Sequence, residues 1–187
     1  MSLSKNVYAA LTVGLLLGGC VKPAPPVAAP QPSPVALAAF RALPESTEVV
    51  AAPDRLTQAL VEELRSRNLV PTQVSEVQPL FGGGRSSISR LEALAGEQRD
   101  AAWLVMVETE ASYFAQVAGK YRWVVSAKIS LVPVAAPDQG TGMEVDVPVF
   151  LQFSHQKGDA ALAEATPTLR RRLGELLDEA LAAPVSP

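Results

Sequence analysis

The chain has 187 residues, 48% of them hydrophobic and 19% charged, with a formal net charge of −3. That composition belongs to a foldable protein of one ordinary domain rather than an acidic disordered tail, and it offers no general attraction to nucleic acid. One cysteine (Cys20) and one histidine (His155) exclude an internal disulfide, a Cys-rich metal cluster and a multi-His zinc site.

The first twenty residues, MSLSKNVYAALTVGLLLGGC, read in three parts: a basic start at Lys5, an apolar run over 7–17, and two small residues before Cys20. An apolar run of roughly 11 residues is too short to cross a hydrocarbon core, which needs ~20. Together the parts describe a secretory signal peptide over 1–19, to be set aside from fold reasoning. Leu17-Gly18-Gly19-Cys20 also resembles the lipobox of bacterial lipoproteins. The resemblance implies that residues 1–19 are cut away, that the Cys20 thiol carries diacylglycerol and that the new amine is acylated. Val21 and Lys22 follow, with no Asp after the cysteine. In that family this implies the outer membrane rather than retention at the inner one. No other cofactor is expected.

From Val21 the composition shifts to VKPAPPVAAPQPSPVALAAFRALP. Pro and Ala dominate, so residues 20–45 are expected to be a lipidated N-terminus and an extended tether, at ~3.1 Å per residue. A domain is expected over 46–183, with residues 184–187 as a disordered tail.

Within it, residues 48–51 suggest a short strand. Asp54 opens a helix whose stripe is Leu56, Leu60, Val61 and Leu64, ending near Asn68, a residue that tolerates a left-handed turn. LVPTQVSEV (69–77) reads as a strand, and Pro71 places it at an edge or a bulge. A loop, Gly82-Gly83-Gly84-Arg85-Ser86-Ser87, leads into a second helix with stripe Ile88, Leu91 and Leu94. AAWLVMV (101–107) is continuously apolar, as in a strand covered on both faces. KYRWVVSAKISLV (120–132) and MEVDVPVFLQF (143–153) alternate, the second turning Val145, Val147, Val149, Leu151 and Phe153 inward. The two should pair as a hairpin around 137–142, with Lys120, Arg122 or Lys128 facing Glu144 and Asp146 on the outer face. Thr166-Pro167 marks the start of a last helix bearing Leu169, Leu173, Leu176 and Leu177, with 159–165 a preceding turn or a kinked extension. The expected fold is α+β: one domain, a mostly antiparallel sheet of four or five strands, and about three helices on one face.

Chemistry is sparse. His155 with Ser86 or Ser87 would be needed for a triad, and no G-x-S-x-G elbow is present. Glu62, Glu63, Glu108 and Glu110 could form an acid pair, but solvation explains them, on a charged helix face and at a strand end, and Arg170-Arg171-Arg172 fits salt bridging with Glu175, Asp178 and Glu179. Gly82–Ser87 is the one ligand-loop candidate, since glycines before a helix expose N–H groups to an anion and Arg85 adds charge. The phosphate of an envelope lipid or glycan would be its class of ligand, although a plain connection has the same composition. Tyr113, Phe114 and Tyr121 flank the expected turn ASYFAQVAGK and are either core residues or an apolar tip. No enzyme is expected and no metal site.

The element order, with GKYRWVVSAKISLV after AAWLVMV, resembles the small periplasmic α/β domains of envelope lipoproteins of the TolB N-terminal, CsgG, LpoB and LptE type. The resemblance spans residues 48–182. It implies a non-enzymatic assembly, accessory or scaffolding component acting through envelope protein partners. The alternative it leaves is a carrier or receptor for an envelope lipid or glycan.

Overall fold

The computed structural model describes residues 32–43, 49–74 and 86–182. The lipobox residues Leu17, Gly18, Gly19 and Cys20, the loop residues Gly82–Arg85 and the tail at 184–187 lie outside them.

Part of the expected tether is a strand. Strand β1 (Ser33–Ala42) sits inside the sheet, and Val35, Ala36, Leu37, Ala38 and Phe40 are all at most 1% exposed. Its run of six apolar residues, VALAAF, is what a strand covered on both faces requires. One edge pairs in parallel with β4 (Trp103–Val117), from Val35↔Trp103 to Ala42↔Glu110. The other edge is shared by β2 (Val49–Ala51), antiparallel to 40–42, and β3 (Leu69–Gln73), parallel to 33–37. Bonds from Ala52 N–H to the Ala39 carbonyl (3.1 Å) and from Val74 N–H to the Leu37 carbonyl (2.9 Å) extend that edge. Pro71 lies in β3, an edge strand, where its missing N–H breaks no ladder.

Beyond β4 the sheet continues as an antiparallel meander through β5 (Lys120–Pro133) and β6 (Thr141–Leu151), giving six strands. The expected β5–β6 hairpin is present, closed by a 3₁₀ turn at Pro137–Gln139. Strand β4 is twice as long as its apolar run suggested and continues through ASYFAQV, so the expected ten-residue turn shrinks to Ala118-Gly119. Both residues have positive φ, 49° and 77°, as a type I′ hairpin requires. A bulge at Phe114 breaks the β4–β5 register between Tyr113 and Ala115.

The three helices divide between the two faces, so their placement on a single face is corrected. Helix α1 (Asp54–Ser66) and the long α3 (Gly158–Ala182) cover one face. Leu56, Leu60, Leu64, Leu162, Leu169 and Leu173 pack there on Leu37, Val105, Val107, Val125 and Ile129. Helix α2 (Ser87–Glu97) packs Leu91, Leu94 and Ala95 on the opposite face, against Ala36, Ala38, Phe40, Leu104, Met106 and Val132. Ile88, expected in its stripe, is 68% exposed. The physical reason is β1: an Ala/Leu/Phe strand beside β4 leaves apolar side chains on both faces, and each face needs a cover.

Helix α3 runs through Pro167 rather than starting there. An interior proline costs about 3 kcal/mol or more. The fully buried Ala161, Leu162 and Ala165 offset that by packing the first two turns on the core, and Thr166 Oγ1 donates to the Leu162 carbonyl at 2.8 Å. Helix α1 ends as expected, with Asn68 at φ 60°.

An ion-pair cluster ties α1 to α3. Arg170 donates to Glu63 (2.7 Å) and Glu62 (3.1 Å), while Arg67 bonds Glu63 and takes both oxygens of Asp178 at 2.9 Å. Burial raises the Glu63 carboxyl, but hydrogen bonds from Arg170 and Arg67 outweigh it and hold it below the ordinary value of 4.5. Arg171 and Arg172 both pair with Glu175 as expected, whereas Arg170 reaches Glu62 and Glu63 of α1 and Asp178 is taken by Arg67.

Candidate functional site

Among the described residues, helix α2 covers only the end of its face where β4 begins and leaves the rest of the β4–β5–β6 meander bare. The register lays that bare face out in rows. Nearest α2 comes Glu108–Lys128–Glu144, then Glu110–Ser126–Asp146, then Ser112–Val124–Pro148, and last Arg122 beside Phe150. Side chains two apart along a strand share a face, so the first two rows make a mainly acidic band and the later ones an apolar area.

The acidic band is tied internally. Glu108 is held by Arg90 and by the Ser87 hydroxyl, which donates to it at 2.9 Å. Ser126 Oγ donates to Asp146 at 2.6 Å, and Lys128 Nζ lies 3.8 Å from Glu144. The expected cross-strand charge pairing is therefore present for Lys128. Arg122 instead lies over the Phe114 ring, 4.6 Å from its centroid, because the bulge turns Phe114 toward it.

Between α2 and this face runs a groove of about 760 Å³, bounded by Ile88, Leu91, Lys128, Val132 and Met143 and closed by the 137–142 turn. A second, of about 380 Å³, follows the acidic band past Glu110, Ser126 and Asp146. Gly140 makes the wall tight, since a Cβ there would overlap the Val132 side chain.

The two described residues of the candidate ligand loop have local duties. Ser86 caps α2 by accepting from Ser89 N–H at 3.3 Å, and Ser87 is bonded to Glu108. A carboxylate beside Ser87 disfavours an anion at that point. His155 is exposed and stacks on Phe153, 5.4 Å between ring centroids, and among the described residues no serine hydroxyl bonds it. Glu62, Glu63 and Glu108 are each engaged by arginine. Among the described residues no group of three or more His, Cys, Asp or Glu is placed to hold a metal, and no helix is long and apolar enough to cross a membrane.

At the far end of the meander the aromatic question resolves. Tyr113 and Phe114 are 52% and 64% exposed, whereas Tyr121 packs against the core. Phe153, expected inside, is 56% exposed because β6 ends two residues earlier, at Leu151. Phe150 stands outward too, in the alternate position to Val149 and Leu151. The alternation of MEVDVPVF already assigns it there; only its hydrophobicity hid it.

No protein-family model and no curated protein matches the chain. Solved structures similar to it include bacterial lipoproteins. Lipoprotein GNA1162 from Neisseria meningitidis is 13% identical, covering 77% of this chain and 99% of that one, with a TM-score of 0.42. The rare lipoprotein B from Shewanella oneidensis is 10% identical, over 79% and 90%, with a TM-score of 0.30. The PelC dodecamer from Paraburkholderia phytofirmans is also similar, at 13% identity over 80% and 95%, with a TM-score of 0.44. At these scores the likeness carries no functional argument, and the chain's own residues must supply one.

Proposed function

We propose that the chain is a lipid-anchored lipoprotein of the bacterial cell envelope, held in the outer membrane by acyl chains on Cys20. It acts without catalysis, as an assembly, accessory or scaffolding component that binds envelope proteins. For the anchor, the support is the sequence Leu17-Gly18-Gly19-Cys20 after a short apolar run. Each buried methylene contributes about 0.8 kcal/mol, so two or three chains hold where one lets go.

The observation that carries the binding role is the bare meander face, where strands of 15, 14 and 11 residues stand beside α2 without a cover among the described residues. An exposed area that combines apolar side chains with fixed charges has the composition of a protein interface. The groove at α2 favours a second reading, a carrier of an envelope lipid or glycan, since about 760 Å³ is the size of a small-ligand site.

A photo-reactive residue replacing Ser126, introduced into the lipidated protein in cells, tests the choice. Stoichiometric crosslinking to one envelope protein is the expected result. Co-purifying lipid or glycan with no crosslinked protein would overturn the binding role in favour of the carrier.

A further inference from the structure

The far end of the β4–β5–β6 meander differs from the rest of the surface in two independent ways. The first is exposed hydrophobic area. Tyr113, Phe114, Val117, Phe150 and Phe153 are 45–64% exposed and all lie at this end. They are not one flat patch. Tyr113 is on the α1/α3 face, where it meets Trp123 edge-on at 5.8 Å, while Phe114 and Phe150 are on the other face and Val117 borders the hairpin turn. The apolar side chains therefore ring the end of the hairpin. A protein interface takes one side of such a hairpin, whereas immersion of its end takes all sides at once.

The second is charge. From Ala111 to Pro137 and from Val147 to Lys157 the sequence holds no aspartate or glutamate, although the chain as a whole is net −3. Lys120 starts β5 at the turn and Arg122 follows on the bare face, while Lys157 and the Arg41-paired Asp159 lie where the chain has returned to the level of Ala111. The acids of the meander are gathered in the two rows nearer α2. Aromatic side chains set among basic ones, with acids excluded, match the boundary of a bilayer, where rings sit at headgroup level and basic groups meet lipid phosphates.

We infer that this end of the meander is a membrane-contact tip that enters the interface of an anionic phospholipid bilayer. The inference rests on the proposed lipid anchor, which keeps the domain beside such a surface. It also adds a second attachment, which fixes the domain's orientation. Residues 20–33 fully extended reach at most about 45 Å, a little under the ~50 Å of the 15-residue β4 at ~3.3 Å per residue, so it is a leaning sheet, not an upright one, that brings the tip to the membrane. The tip can thus meet the same membrane although β1 begins at the opposite end of the sheet.

The test uses the full lipidated protein in nanodiscs, with a nitroxide at Gln116→Cys beside the turn or, as control, at Glu97→Cys at the end of α2. Collision accessibility to oxygen and to a water-soluble nickel chelate reports depth. In discs containing phosphatidylglycerol the label at 116 is expected at headgroup depth or below and the label at 97 in water. In phosphatidylcholine discs both are expected in water. Lys120→Glu should lower the inserted population by at least fivefold, the factor expected for one basic group at an anionic surface, and Phe114→Ser should do the same by removing apolar area. A label at 116 that stays in water in both discs overturns the inference, as does insertion that ignores lipid charge. So does a label shielded only when a second protein is added, which would assign the tip to a protein partner. Loss of the whole protein from the discs would refute the Cys20 anchor instead, so the two failures are distinguishable.

Discussion

Replacing Phe40 by alanine separates a tether residue from a central strand residue. In an extended Pro/Ala spacer the change would fall within the ±0.5 kcal/mol typical of surface substitutions. In β1 the ring is 1% exposed, packed among Leu91, Leu94, Leu104 and Met106 under α2. Truncating a buried phenylalanine costs about 3–5 kcal/mol, made up of lost transfer energy and the cavity left behind. The whole stability of such a domain is about 5–15 kcal/mol. At about 2–4 °C per kcal/mol for a chain of this size, the melting temperature should drop by roughly 6–20 °C. Urea unfolding followed by the fluorescence of Trp103 and Trp123 measures it, with the midpoint lowered and the slope unchanged. A shift below 0.5 kcal/mol would refute the placement of residues 33–42 in the sheet.

Three further outcomes follow from the packing and the charges. Ala118→Asn should stabilise by about 0.5–1 kcal/mol, because Ala118 sits at φ 49° and Asn-Gly is the preferred type I′ pair; destabilisation in the same urea assay would argue against that turn. Gly140→Ala should destabilise by about 1–3 kcal/mol through overlap with Val132, and a neutral result would mean that the 137–142 turn is not held against β5. In acid, the α1–α3 cluster should weaken. Glu63 and Asp178 are held below their ordinary values in the folded protein, so the unfolded chain takes up these protons first and stability falls as pH drops below about 4.5. Glu63→Gln should flatten that part of the stability–pH curve, and an unchanged slope would contradict the assignment.

What could be read from the sequence follows from how strongly pattern and packing agree. The β5–β6 hairpin alternates cleanly because one face of each strand meets the core, and Pro71 announced an edge strand because proline cannot donate to a ladder. Strand β1 was hidden by its neighbours and its alanines: flanking prolines mimic a spacer, and alanine has low strand propensity. Yet VALAAF is as continuously apolar as the recognised run in β4, and for the same reason, burial on both faces. The second half of β4 was obscured because its inward positions are Thr109 and Ala111, too small or too polar to signal burial. Pro167 misled in the opposite sense, since local propensity gave way to the burial of Ala161, Leu162 and Ala165. At the candidate site, the outward positions of β6 could be read from the alternation, but the bulge that turns Phe114 onto the bare face could not. It depends on pairing with a strand whose register the sequence does not specify.

Envelope location, the bare face as a binding surface and the membrane-contact tip all depend on Cys20. Mass spectrometry of the N-terminal peptide of the membrane-extracted protein tests this most directly. The account predicts a mature chain that begins at Cys20 and carries diacylglycerol on the thiol and an acyl group on the amine. A chain still holding residues 1–19, or one cut elsewhere with an unmodified Cys20, would contradict it.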